Sequence, residues 1–262
     1  MLKDKVIWIT GASSGIGEAL AYELSKYNHK IIISSRNADA LKKVQLNCAH
    51  TENVRIVPLD LTAFDKMEQY VEEALKAFGN IDILINNGGV SQRSLIAETD
   101  FLVDKKILEV NYLGTVALTK ALLPHFLARK TGHYVTVTSL MGKFGTPYRS
   151  SYCGAKHALH GFFDVLRMEH QKDGIDVTLI CPGFVATNVA KNALTGKGEK
   201  QQTDDKATQN GLSAEAFAKK MMKAISKKKF EAYIGKKEVM GVYLKRFFPR
   251  FLHYFVLRST IK

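Results

Sequence analysis

Short apolar runs alternate with longer stretches of helical periodicity along this 262-residue chain. Val6–Thr10, Lys30–Ser34, Val54–Leu59, Ile81–Ile85, Tyr134–Thr138 and Val177–Cys181 are rich in Val, Ile and Thr. Their hydrophobicity is continuous, not alternating, which predicts strands buried on both faces of a parallel sheet. Between them, helical patterning covers about 15–27, 38–48, 64–78, 101–129 and 152–172. A further helix at about 213–227 leads into a seventh short strand at Glu231–Ile234. Repeated strand–helix units cross over right-handedly, so the pattern predicts an α/β fold with a doubly wound, mostly parallel seven-stranded sheet and helices on both faces. No repeat, low-complexity tract or Pro/Gly linker divides the chain, which reads as one domain over 1–235 with an extension over 236–262.

With 46% hydrophobic residues the chain is too apolar for a disordered protein. Cys48, Cys153 and Cys181 lie far apart without paired spacing, which argues against a disulfide framework and a structural zinc site. No other His/Cys/Asp cluster has ligand spacing, so no metal is expected. The N-terminal apolar run is short and soon interrupted by glycines, unlike a signal peptide, and no stretch approaches the ~20 apolar residues of a membrane span. The expectation is a soluble cytoplasmic protein.

The formal net charge is +13, from 38 Lys+Arg against 25 Asp+Glu. Residues 213–262 hold 13 of the basic and 3 of the acidic side chains, so most of the excess sits in the last part of the chain. The near-neutral body offers no basic face for nucleic acid. In the extension, Tyr243, Phe247, Phe251 and Phe255 recur every four residues among Lys245, Arg246, Arg250 and Arg258, with Pro249 breaking or opening a helix. Packing on its own domain or a subunit partner is one reading, and peripheral contact with an anionic membrane through 236–262 is the other.

Directly after the first strand stands Thr10-Gly11-Ala12-Ser13-Ser14-Gly15-Ile16-Gly17, followed by helix-forming residues. Glycines there let backbone approach a pyrophosphate, and a helix N-terminus supplies N–H donors and partial positive charge. The second strand ends in Ser34-Ser35-Arg36-Asn37. A carboxylate at that place would hydrogen-bond the ribose hydroxyls of NAD(H), whereas a guanidinium grips a ribose phosphate. Ser35 and Arg36 therefore point to NADP(H) over NAD(H). Farther on, Ser139 closes a strand, and Tyr152 and Lys156 stand four residues apart on one face of a helix. A nearby cation favours a phenolate, so the pair predicts a lowered phenol pKa and a proton exchanged with an alcohol or carbonyl. Cys153 and His157 beside them read as packing residues.

Taken in order, Thr10–Gly17, Asp60-Leu61, Asn86-Asn87-Gly88-Gly89, Asn111, Ser139, Tyr152/Lys156 and Pro182-Gly183 with Thr187 resemble the short-chain dehydrogenase/reductase family. The likeness covers about 4–190 and implies a Rossmann-type fold. It implies Tyr152 as general acid/base, Lys156 as its activator and ribose anchor, and Ser139 as the substrate orienter. Asn111 resembles the residue that bends its helix and holds a water beside the lysine. The resemblance puts Gly11, Ser13, Ser14, Gly15, Ile16 and Gly17 at the pyrophosphate, Asp60 and Leu61 at the adenine, and Asn87 and Gly88 beside the adenosine. Pro182, Gly183 and Thr187 would face the nicotinamide. Gly88 stands where alanine is commoner in the family, which loosens that loop. The implied substrate is a small carbonyl or secondary alcohol, apolar because Phe144, Pro147 and Tyr148 would line one wall. The polar stretch at about 187–211 would close over it, and a homodimer or homotetramer would pack through 101–129 and 152–172. A non-catalytic cofactor-binding or membrane-associated scaffold is the alternative, against which the complete Ser/Tyr/Lys/Asn set speaks.

Overall fold

The computed structural model describes residues 2–258, so positions 259–262 of the expected extension lie outside the described residues. The strands are β1 (Val6–Thr10), β2 (Lys30–Ser34), β3 (Val54–Ile56), β4 (Ile83–Asn86), β5 (Gly132–Val137), β6 (Ile175–Pro182), β7 (Val185–Ala186), β8 (Leu212–Ser213) and β9 (Glu231–Ile234). Seven of them form one sheet in the order β3-β2-β1-β4-β5-β6-β9, while β7 and β8 pair separately. Every pairing in the large sheet is parallel; Ile7, for example, sits opposite both Ile31 and Ile83. Strand order reverses between β1 and β4, and ligands of such sheets bind in the crevice beyond the strand ends at that point.

The helices are α1 (Gly15–Leu24), α2 (Ala38–Leu46), α3 (Met67–Phe78), α4 (Phe101–Leu108), α5 (Gly114–Arg129), α6 (Ser150–His170), α7 (Lys206–Gln209), α8 (Ala214–Ser226), α9 (Met240–Phe247) and α10 (Pro249–Arg258). Successive side chains of β1 point to opposite faces. Ile7 and Ile9 join Leu20 and Leu24 of α1 and Phe217 and Met221 of α8. Trp8 joins Leu122 and Phe126 of α5 and Phe163 of α6 on the other face. The continuous apolar runs are thus explained: both faces are covered.

Several boundaries differ from the sequence expectation: β4, β5 and β6 lie at Ile83–Asn86, Gly132–Val137 and Ile175–Pro182, each shifted or lengthened by one or two residues at its ends. The run 54–59 pairs as a strand only to Ile56, but Val57 and Leu59 still donate to Ile33 and Ser35 carbonyls at 3.1 Å. The helix at 15–27 ends at Leu24, with Ser25 as its C-cap. The stretch 101–129 is two helices joined by a π turn at Glu109–Leu113. The Asn111 side chain explains that turn by bonding outside its helix: Nδ2 donates to Val90 O (2.9 Å) as well as Ile107 O (3.0 Å), and Oδ1 accepts from Val90 N (3.2 Å).

The extension breaks at Phe248, and Pro249 opens α10, where its missing N–H costs nothing. Leu252 is buried in a cluster with Leu140, Phe144 and Cys181. The outer residues Phe247, Phe248, Phe251, Tyr254 and Phe255 are exposed.

Candidate active site

A cleft of about 1280 Å³ opens at the strand-order reversal, its floor formed by the turn between β1 and α1. Gly11 and Gly15 adopt φ of 64° and 61°, a region that disfavours side chains. A Cβ on Gly11 would lie 2.7 Å from Gly88 Cα, and one on Gly15 would lie 3.1 Å from Thr187 Cγ2. Ser14, the N-cap of α1, makes no side-chain bond to the first turn, leaving that helix end without a side-chain cap. Such a bare backbone cradle at a helix N-terminus fits a pyrophosphate.

The turn is fastened to the segment after β4. Thr10 Oγ1 accepts from the N–H groups of Asn87 (3.0 Å) and Gly88 (3.1 Å), and Asn87 Nδ2 donates to the carbonyls of Thr10 (3.0 Å) and Gly11 (3.1 Å). These bonds hold the Gly88 loop that its glycine would otherwise loosen. Of the residues singled out in the sequence, Gly11, Ser13, Ser14, Gly15, Ile16, Ser35, Arg36, Asp60, Leu61, Asn87, Gly88, Asn111, Ser139, Tyr152, Lys156, Pro182, Gly183 and Thr187 all line this cleft. Gly17 does not; it lies behind the turn, where a Cβ would collide with Gly11 O. Its part is helix–turn packing.

At the end of β2, Ser35 Oγ accepts from Asn37 N (3.2 Å), and Asn37 Oδ1 accepts from Ala40 N (3.0 Å) to cap α2. Arg36 follows the strand directly. Burial pulls the Asp60 carboxyl upward, but hydrogen bonds from Thr62 and the charges of Arg36 and Lys106 outweigh it and hold the group below its ordinary value.

At the other end, Ser139 leaves β5 and Tyr152 rises from the first turn of α6. Burial raises the Tyr152 pKa; a hydrogen bond with Ser139 and the charges of Arg93 and Arg149 oppose that rise without cancelling it. The expected lowering by Lys156 is not found in the protein alone, because desolvation of the phenol dominates. Lys156 is only 5% exposed, its Nζ donating to Val137 O at 2.9 Å and lying 5.7 Å from the Tyr152 ring centroid. Burial draws that ammonium down to about 8. Gly89 lies between Lys156 and Asn111: a Cβ on it would meet Asn111 Oδ1 and stand 3.7 Å from Lys156 Nζ.

Two further features depart from the sequence reading. Phe144, Pro147 and Tyr148 do not line the main cleft; they line a second groove of about 610 Å³ with Leu95, Leu252 and Val256. The reason is that Phe144 turns into the cluster around Leu252, taking its segment toward α10. Sequence reasoning also missed Gln92, fully buried, whose Oε1 accepts from Ser151 N (2.9 Å) and Tyr152 N (3.3 Å). Nothing in its sequence neighbourhood signals that contact across the fold. The loop 187–211 does reach the cleft, through Thr187, Asn192, Leu194 and Lys197 among others.

The family model for short chain dehydrogenase matches residues 5–198. A human protein, dehydrogenase/reductase SDR family member 7, is 41% identical over 255 residues, covering 95% of this chain and 75% of its own. A short-chain dehydrogenase/reductase from Burkholderia phymatum, solved in complex with NAD, shares the fold at a TM-score of 0.83 and 23% identity over 94% of this chain and 95% of its own. A variant of ElxO with NADPH bound is 30% identical at a TM-score of 0.67, covering 70% of this chain and 75% of its own.

Proposed function

The chain belongs to the short-chain dehydrogenase/reductase family, and we propose that it interconverts a carbonyl and a secondary alcohol with NADP(H), on an apolar substrate, with Tyr152 as general acid/base. The observation that carries this reading is that Ser139, Tyr152 and Lys156 line the cleft that also holds the glycine cradle, with the Lys156 ammonium 5.7 Å from the Tyr152 ring centroid. When bound, the nicotinamide cofactor supplies or accepts the hydride. Gly11–Ile16 would hold its pyrophosphate, Asp60, Leu61, Asn87 and Gly88 its adenosine, and Pro182, Gly183 and Thr187 the nicotinamide end.

In reduction, Tyr152 gives its phenolic proton to the carbonyl oxygen while the Ser139 hydroxyl orients that oxygen. In oxidation the phenolate takes the proton back. Lys156, kept cationic below about pH 8, stabilises the phenolate and anchors the ribose. Asn111 fixes the π turn next to it and, with a water, completes the path for the proton. The raised phenol keeps its proton in the protein alone, and the Lys156 ammonium beside it favours the phenolate left once that proton passes to the substrate oxygen.

NADP(H) rests on Arg36 and Ser35 at the cleft rim, where Ser35-Arg36-Asn37 and not a carboxylate directly follows β2. Fluorescence titration tests this. NADPH should bind more tightly than NADH, and Arg36→Ala should weaken NADPH by about tenfold or more, as loss of charge-assisted hydrogen bonds implies. Equal affinities that survive Arg36→Ala would contradict it. Leu102, Val110, Val189 and Leu194 among the residues lining the cleft support an apolar substrate. The exposed aromatic and basic face of α9 and α10 supports peripheral contact with an anionic membrane, and among the described residues no helix is long and apolar enough to cross one. Exposed Phe101, Leu113, Val165 and Met168 on α4, the π turn and α6 support a homodimer or homotetramer through those helices.

A further inference from the structure

The segment leaving β4 grips two other parts of the site at once. The first N–H groups of any helix lack partners within it. In α6 the N-cap residue, Arg149, makes no side-chain bond to them. Gln92 does so instead, from 59 and 60 residues away in sequence, accepting from Ser151 N and Tyr152 N. Its amide nitrogen is held in turn by the hydroxyls of Ser94 (3.2 Å), Thr99 (3.3 Å) and Ser150 (3.3 Å). A side chain fixed at both ends sets the turn that carries the phenol.

The neighbouring Arg93 reaches the other way. Its guanidinium pairs with Asp205 at 2.8 Å, and its backbone N–H donates to Leu194 O at 2.8 Å, both in the loop 187–211. Leu194 N returns a bond to Ser91 O at 2.9 Å. Asp205, its side chain only 5% exposed, also faces Arg149 at 3.9 Å and caps α7 by accepting from Thr208 N. One loop carboxylate thus lies between a guanidinium of the β4 segment and one at the start of α6. Removing it would leave two largely buried cations facing each other, a costly arrangement.

We propose that Gln92 is a positioning residue for Tyr152, and that Arg93 and Asp205 tie that position to the loop 187–211. The proposal rests on the reading of Tyr152 as the proton donor. Cleft wall, helix cap and loop anchor are then three consecutive residues, Ser91–Arg93, so displacing the loop displaces the phenol.

Hydrogen exchange of the cofactor-free protein, together with NADPH turnover of 9,10-phenanthrenequinone, tests this. Gln92→Met removes the acceptor, and should speed exchange at 151–152 and lower kcat by about ten- to hundredfold, the scale of a small misplacement of a reacting group. NADPH affinity should not change. Gln92→Glu keeps an acceptor at a helix N-terminus, where a carboxylate is favoured, and should restore both readouts. Asp205→Asn should speed exchange across 187–211 and also at 151–152. Should Gln92→Met not fold, Gln92→Asn, which withdraws the amide by one methylene, takes its place with the same expectation. Wild-type exchange at 151–152 in the acceptor-less variant, or equal losses in Gln92→Glu, would overturn the proposal. Full turnover in Tyr152→Phe would instead overturn the reading beneath it. An inactive Tyr152→Phe beside a fully active Gln92→Met would overturn the positioning role alone.

Discussion

An ammonium that is 5% exposed and bonded to one carbonyl has lost much of its hydration, and Lys156 is drawn to about 8 from an ordinary value of 10.5. The unfolded chain keeps that proton to about 10.5, whereas the folded protein releases it near 8, so between these values the unfolded state binds more protons. Stability therefore rises with pH through this window. Urea unfolding at points from pH 7.5 to 10 should show wild type gaining stability relative to Lys156→Met; parallel curves would contradict the burial account. Ser139, Tyr152 and Lys156, which line one cleft, were legible in the sequence through the family-like order of motifs along the chain, the Tyr152/Lys156 spacing alone being common on helices. The direction of the phenol shift was not, since it is set by burial under side chains from distant segments. Gln92 was invisible for the same reason, as its partners lie 59 and 60 residues away.

Most elements could be placed from the chain itself, because a strand covered on both faces must be apolar throughout and its length bounds it. Val6–Thr10 and Lys30–Ser34 were placed to the residue for that reason, and Glu231–Ile234, an edge strand of alternating burial, as the short run following the helix at about 213–227. The π turn at Glu109–Leu113 was not legible: helical periodicity runs straight through it, and only the pairing of Asn111 with Val90 breaks the ladder. The segment 142–149 was misplaced in a similar way. Its aromatic and apolar residues fit a substrate wall, yet Phe144 packs with Leu252 of α10, an element whose position nothing nearby in sequence fixes. Pro249 showed where the extension divides but not which of its residues turn inward. Leu252 does, and the phenylalanines around it do not.

At the scale of the whole molecule, charge and exposed aromatic surface fall in the same place. Lys245, Arg246, Arg250 and Arg258 share α9 and α10 with exposed Phe247, Phe248, Phe251, Tyr254 and Phe255, the composition of a helix pair lying at an anionic interface. Flotation with phosphatidylserine vesicles should carry the full chain and fail after deletion of 236–262; flotation unaffected by the deletion would place the contact elsewhere. Exposed aromatics that remained unbound would leave packing against a second copy. The proposed chemistry, by contrast, does not call on the net charge of +13: of the cations lining the cleft, which include Lys106, Lys197 and Lys200, it uses Arg36 for a phosphate and Lys156 for a phenolate. The most direct measurement of the account is NADPH oxidation by 9,10-phenanthrenequinone in wild type and Tyr152→Phe, with NADPH binding followed by fluorescence in both. General acid catalysis predicts turnover falling by at least about a hundredfold while NADPH affinity is kept. Undiminished turnover by Tyr152→Phe would contradict it.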